Sequence, residues 1–233
     1  MPAHDTQEKV LDAAERLFAE HGFASTSLRK VTSEAGVNLA AVHYHFGSKA
    51  ALVRAVFARR LDPLNAERLR ALDAVLADSP GGGAAVETIL ETLVRPLVDL
   101  SQREPDGAQT LIALLGRVHA ETASDLQQAV EEQFADVAKR YLEALAHALP
   151  VLDRDELCAR FHFVIGTMAS SLADPRRLAY LSGRGREAHG LDDIAAQLVA
   201  FVSAGMAAPA RDACDHDDPD TGSSDERAGG AAS

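Results

Sequence analysis

A chain of 233 residues that is 47% hydrophobic can bury one medium-sized core or two small ones. No apolar run approaches the roughly 18 residues of a membrane span, Met1–Glu20 carries scattered acids in place of a secretory signal, and two cysteines, Cys158 and Cys214, cannot build a disulfide scaffold or a zinc ribbon. The net charge of −12, from 23 bases and 35 acids, speaks by itself against nucleic acid, and 5% aromatics with abundant Ala favour helix over sheet.

In chain order, the first helix is signalled by Asp5 or Thr6 as its cap, with Glu8 in a capping-box position after Asp5. Val10, Leu11, Ala14, Leu17 and Phe18 recur at helical spacing, and Gly22 stops the helix. A second helix follows Ser27, turns Leu28, Val31 and Ala35 inward, and ends at Gly36. A third opens at Asn38 with Val42 and Phe46 on its inner face. A fourth opens at Ser48 and runs through Leu52, Val53, Val56 and Phe57, after which Pro63 suits the first turn of a new helix. Ser79-Pro80-Gly81-Gly82-Gly83 is the clearest interior linker. Beyond it Val86, Ile89, Leu90, Leu93, Val94, Leu97 and Val98 mark a long amphipathic helix that Pro96 should kink. Further helices are expected over Asp106–Ala120, from Ser124 to the stop at Pro150, over Asp153–Ala173, and from Leu191 to about Met206. A Gly/Arg loop spans Ser182–Gly190. Neither strand alternation nor an internal repeat is visible. After Ala208 the chain is rich in Asp, Gly, Ser and Ala and reads as a disordered acidic tail.

Charge is unevenly spread. From Phe23 to Arg60 the bases Arg29, Lys30, Lys49, Arg54, Arg59 and Arg60 face one acid, Glu34, a local balance of +5. From Ala207 to Ser233 seven acids face two bases, a balance of −5. A basic segment in an acidic chain is a localised electrostatic footprint for phosphate-like anions.

Leu28 to Gly47 reads as helix, glycine turn, helix. This is helix-turn-helix spacing, in which the second helix can enter a major groove with its N-terminal residues leading. The outer face of the Asn38–His45 helix is small or apolar at Leu39, Ala40 and Ala41, and polar aromatic at His43, Tyr44 and His45. Small side chains permit close approach to base edges and thymine methyls. Tyr44, His45, Lys49 and the amides at helix starts suit phosphates.

The stretch Gly22–Leu52, above all Tyr44-His45-Phe46-Gly47-Ser48-Lys49, closely resembles the DNA-binding domain of TetR-family repressors over about Glu8 to Arg60. The resemblance implies an all-α fold of about nine to ten helices. It implies a three-helix helix-turn-helix DNA-binding domain at 1–50, a larger helical ligand-binding and dimerisation domain at 51–207, and the tail at 208–233. It implies that Ser27 and Arg29 contact phosphate or a base edge, that Leu39, Ala40, Ala41 and His43 face bases, and that Tyr44, His45 and Lys49 hold the backbone. Position 43 departs from the family's frequent Tyr, so its contact can differ and depend weakly on pH. Val37–Lys49, Ala55–Arg59, Leu114-Leu115-Gly116, Arg140-Tyr141 and His162-Phe163 with Gly166 are also similar to the branch that senses long-chain fatty acids, the PsrA-type regulators.

A palindromic operator needs two recognition helices one turn apart, and one chain supplies one, so a homodimer is implied. Gly166, Ala169, Ser170 and Ala173, with Phe201, Val202 and Gly205 opposite, make a close-packing strip that suits either a dimer contact or an intrachain face. Leu111, Leu114, Leu115, Val118, Phe134, Val137, Tyr141, Phe161, Ile165 and Met168 can line an elongated apolar site for a fatty acid or acyl-CoA, with Arg117, Arg140 or His162 at its polar end. The sequence does not separate such a cavity from a filled core. His119, His147, His162 and His189 stand apart from one another and from acids at ligand spacing. Cys158 reads as a buried small residue, and Cys214-Asp-His-Asp-Asp lies in a solvated acidic run. No metal, cofactor or membrane partner is expected. No Ser-His-Asp order, Walker loop or dinucleotide turn occurs, so the expected class is a bacterial cytoplasmic regulator, nucleoid-associated when bound to DNA, and not an enzyme. A helical lipid carrier, an enzyme without a DNA role, and a helical adaptor are the competing readings.

Overall fold

The computed structural model describes residues 3–79, 83–120, 124–173, 180–181 and 190–210. The central residues of the interior linker, the loop 182–189, and the tail from residue 211, with Cys214 and His189, lie outside the described residues, as does the side chain of His119. Among the described residues the fold is all helical, with no strand. The helices are α1 (Ala3–His21), α2 (Leu28–Ala35), α3 (Leu39–Phe46), α4 (Lys49–Ala77), α5 (Val86–Arg103), α6 (Pro105–Ala120), α7 (Ser124–Ala148), α8 (Arg154–Ala173) and α9 (Leu191–Met206). No helix among them is long and apolar enough to cross a membrane.

The short helices are set by their ends. Ser27 accepts a hydrogen bond from the Lys30 amide (3.2 Å), Asn38 from Ala41 (2.8 Å) and Ser48 from Ala51 (3.1 Å), so three side-chain caps start α2, α3 and α4. At the end of α2 the Val37 amide donates to the Thr32 carbonyl (3.0 Å) and the Gly36 amide to Ser33 (3.4 Å). This is a Schellman ending, with Gly36 left-handed at φ 65°. Helix α1 starts at Ala3, ahead of the expected caps. Asp5 lies within its first turn and accepts from Lys9 Nζ at 3.2 Å, so it serves as a side-chain partner one turn along.

Helix α4 is the long element of the fold. Its 29 residues run unbroken through Pro63, where the sequence suggested a new helix. Pro63 removes one backbone hydrogen bond but lies exposed, while Leu61, Leu64 and Asn65 around it are buried. Packing on that inner face outweighs the lost bond. Helix α5 likewise continues through a buried Pro96. Helix α4 packs on α5 and α7, α9 packs on α5 and α8, and α6 touches α1, α5, α7 and α8. Cys158 is half-buried, more open than its residue type suggested.

One apolar cluster runs through both ends of the molecule. At the N-terminal end Phe18 and Phe23 lie 4.9 Å apart by ring centroids, and Phe23 stacks on Phe57 of α4 at 5.7 Å. Buried Thr26 donates to the Gly22 carbonyl at 2.8 Å and closes the α1–α2 connection. Phe57 is fully buried at this three-ring junction. Phe57→Ala is expected to lower unfolding stability by about 3–5 kcal/mol, read as a lower denaturant midpoint at unchanged slope. A loss of a few tenths of a kcal/mol would show that the ring junction does not hold α1 to α4.

Candidate nucleic-acid interface and regulatory core

Helix α3 has two faces. Val42 is buried and Leu39 and Phe46 are half-buried on the inner one, at i, i+3 and i+7. Ala40, His43 and Tyr44 form the outer one, all exposed, with Tyr44 at 84%. Ala41 and His45 are half-buried at the flanks, and the Tyr44 and His45 rings meet edge-on at 5.2 Å. The apolar spacing therefore turns Ala40 and His43 away from the protein interior, whereas Leu39, expected to face bases, is drawn half-buried onto the inner face and Ala41 to a flank.

The turn after α3 is unusual. The Ser48 amide donates to the Phe46 carbonyl at 2.8 Å across Gly47, whose φ of 73° and ψ of −55° are those of a positive-φ γ-turn. His43 Nδ1 donates to the Gly47 carbonyl at 3.0 Å. A carbonyl only accepts, so Nδ1 carries the hydrogen and neutral His43 presents Nε2 as an exposed acceptor. This contact runs from the outer face of α3 to the turn that follows it.

The basic segment divides in two. Arg29, Lys30 and Arg54 are exposed and, among the described residues, pair with no acid. Glu34, the one acid of the segment, is paired with Arg16 of α1 at 3.0 Å. Ser27 is exposed beside Arg29, and its capping role leaves its O–H as a donor. Lys49 Nζ donates to the Phe23 carbonyl, which fixes the ammonium between the α1–α2 connection and the start of α4. Arg59 and Arg60 turn inward. Arg59 bonds Glu15 and also Asp12 (2.7 Å), and Arg60 bonds Glu15 at 2.7 Å. Burial alone would lower the Arg59 pKa, but its hydrogen bonds to Glu15 and Asp12 leave it raised. Glu15, nearly buried, was not singled out in the sequence. Only an acidic residue on the inner side of the first helix hinted at it.

The ten residues expected to hold a ligand all belong to the apolar cluster between α6, α7 and α8. Leu111, Leu114, Val118, Val137, Tyr141, Phe161 and Met168 are buried, and Leu115, Phe134 and Ile165 are half-buried. Two surface grooves, of about 300 and 330 Å³, are lined by other residues. The three expected polar anchors are elsewhere. Arg117 donates to the Glu20 carbonyl (2.8 Å) and caps the end of α1, Arg140 pairs with Asp73, and His162 is exposed. A cation that sequence reasoning missed sits in the core instead. Arg68 of α4 is 2% exposed and donates to the Leu93 carbonyl (2.9 Å) and to Asn65 Oδ1 (3.2 Å). Burial pushes its pKa down to about 10, so it stays charged at neutral pH. Beside it the Tyr141 hydroxyl is pushed up to about 12, chiefly by burial, and stays neutral.

The family model for bacterial regulatory proteins of the tetR family matches residues 10–56, and that for the tetracyclin repressor-like C-terminal domain matches residues 91–205. The two matches fall on α1–α4 and on α5–α9 and together cover more than half of the chain. The chain belongs to the tetR family. Among curated TetR-family relatives, it is 35% identical over 127 residues to the HTH-type transcriptional repressor Rv3405c of Mycobacterium tuberculosis, covering 50% of this chain and 63% of that protein. It is 36% identical over 62 residues to the regulator SrpR of Pseudomonas putida, 27% of this chain and 29% of that one. The chain thus spans less than two thirds of the length of these relatives, which are named as transcriptional regulators and not as enzymes. Solved TetR-family structures share the fold. The fatty acid degradation regulator FadR of Bacillus halodurans superposes with a TM-score of 0.61 at 14% identity over 86% of this chain and 95% of that one. The SmeT–triclosan complex gives 0.60 at 20% over 86% and 90%.

Gly47 holds the joint of this TetR-type unit. Its positive φ is costly for any residue with a Cβ, and its carbonyl orients His43. Gly47→Ala is expected to cost about 1–3 kcal/mol of stability and to weaken duplex binding beyond that of a Gly36→Ala control. Equal binding by the two variants would leave the γ-turn without a role in placing α3.

Proposed function

We propose that the protein is a ligand-responsive DNA-binding transcriptional repressor of the bacterial cytoplasm. It acts as a homodimer on a palindromic operator and is released by a small apolar inducer. The observation that carries the reading is the outward surface of α3, where Ala40, His43 and Tyr44 stand clear of the core while Val42 and Phe46 anchor the helix. Ala40, with Leu39 and Ala41 beside it, lets α3 approach base edges, and His43 offers an acceptor to an exocyclic amino group. Tyr44, His45, Lys49, Ser27 and Arg29 supply backbone contacts. Two copies place two such helices on half-sites about 34–36 Å apart.

The dimer contact is supported by Phe163 of α8 and Phe201 of α9, which are 65% and 70% exposed on two helices that pack together. Gly166 lies one turn from Phe163 and Gly205 one turn from Phe201, and both have open space where a Cβ would stand. This is the small-residue strip of the sequence reading, with one change: Val202 is buried within its own chain. Exposed aromatics flanked by glycine suit a second copy approaching closely.

The inducer reading rests on the apolar cluster of α6–α8 and on the likeness to the fatty-acid-sensing branch, with a long-chain fatty acid or its coenzyme A ester as the candidate. Each buried CH₂ is worth about 0.8 kcal/mol. Inducer binding must favour a state in which the two α3 helices no longer match the groove spacing. Helix α6 links the two regions, because Arg117 bonds the last carbonyls of α1.

Duplexes selected from a random pool by the full chain are expected to carry inverted half-sites one helical turn apart, with oleate or oleoyl-CoA releasing them in a gel shift. A pool that enriches nothing would end the DNA reading. Enrichment without release by either ligand would end the fatty-acid reading alone. Arg29→Ala is expected to weaken binding to all duplexes and to lower the slope of log affinity against log salt by about 0.9. An unchanged slope would remove Arg29 from the phosphate contacts. Phe163→Asp combined with Phe201→Asp is expected to give a folded monomer by light scattering with at least tenfold weaker operator binding, by an order-of-magnitude estimate. A persistent dimer would move the contact to another face.

A further inference from the structure

Arg68 is a buried cation without a counter-charge. Its two acceptors, the Leu93 carbonyl and the Asn65 amide oxygen, are neutral. Among the described residues no carboxylate pairs with it. The inward-facing Arg59, Arg60 and Arg160 are each paired with a carboxylate. Keeping a guanidinium out of water costs several kcal/mol unless an anion compensates, and an apolar side chain of similar length would fill the same space without that cost.

A polar path leads from this cation toward the surface. The Tyr141 hydroxyl donates to the Arg68 carbonyl (3.3 Å) and shares a hydrogen bond with Thr92 Oγ1 (2.9 Å). Thr92 lines the 330 Å³ groove between α4 and α5. Pro96, on the same wall, has no N–H to give the Thr92 carbonyl, so the backbone of α5 is loosened there. On the inner side the Tyr141 ring stacks on Phe161 at 6.4 Å, at the edge of the α6–α8 apolar cluster. The groove's charged residues are Glu67, Glu91 and Asp99 against Arg95, an acid-rich mouth.

We propose, resting on the inducible-regulator reading above, that Arg68 is the anion receptor of the effector site and that the effector is an apolar molecule carrying one carboxylate. The carboxylate meets the guanidinium fork, and the apolar body runs past Phe161 into the cluster. Compensation of a buried charge is a gain open only to the liganded state, which is the differential affinity an inducer needs. A coenzyme A thioester has no free carboxylate, and its phosphates meet the acidic mouth unfavourably, so the free acid is the ligand and the thioester is not.

The test is titration calorimetry of the full chain with oleate, oleyl alcohol and oleoyl-CoA, repeated for Arg68→Met and Arg68→Gln. The wild-type protein is expected to bind oleate about 10- to 100-fold more tightly than the alcohol and more tightly than the thioester. In both variants oleate and alcohol are expected to bind alike, and the Tm of Arg68→Met is expected to match or exceed that of the wild type, because an uncompensated charge has been removed. Should Arg68→Met fail to fold, Arg68→Gln carries the comparison. Equal wild-type affinity for oleate and alcohol, a carboxylate preference kept in the variants, or thioester binding as tight as oleate overturns the assignment. Undiminished release of DNA by oleate in the variants overturns it while leaving the inducible reading in place. Wild-type protein that binds none of the three probes overturns both.

Discussion

The carboxylate of Glu15, nearly buried and held by both Arg59 and Arg60, ties α1 to the middle of α4. A carboxylate withdrawn from water needs such partners, and removing them would leave a costly charge behind. Because of this joint the three N-terminal helices do not hang from α4 as a loose appendage. Helix α4 is itself about 44 Å long at 1.5 Å per residue. It begins at the Ser48 cap beside the γ-turn of Gly47 and ends among the helices of the C-terminal core.

The same joint rearranges the charge budget of the surface. Six bases in the segment look like one footprint, but two of them are consumed by acids of α1, and the segment's single acid is consumed by Arg16. The cations left outward are Arg29, Lys30 and Arg54, on α2 and α4, the helices that flank α3 in the chain. An acidic chain thereby presents a local basic surface without any change in its overall charge.

In the C-terminal half the polar interior carries the information. Leucine and valine on facing helices would pack without Arg68, Asn65, Thr92 and Tyr141, and buried polar groups are weak evidence for stability. Their hydrogen bonds join α4, α5 and α7 at one point, the place where an apolar cluster acquires a charged end. Arg117 of α6 bonds the end of α1, so the helix that borders the apolar cluster also touches the N-terminal helices.

The helices and their caps were legible because their causes are local. Ser27, Gly36, Asn38 and Ser48 act on backbone groups within four residues, and the 3.6-residue period of Val42 and Phe46 dictates which side of α3 faces out. The sequence by itself also determined an all-helical chain and a helix-turn-helix unit. The partners of the charges were decided only in three dimensions. Glu15 meets Arg59 and Arg60 across some 45 residues, Arg68 lies on a helix whose charged and apolar residues look alike in a one-dimensional pattern, and Arg117 and Arg140 were taken up by a helix end and by Asp73. Pro63 stayed inside α4 for the same reason, since packing from distant segments outweighed its local preference. Local hydrogen bonding is written in neighbouring residues, whereas desolvation and ion pairing depend on what the rest of the chain brings alongside.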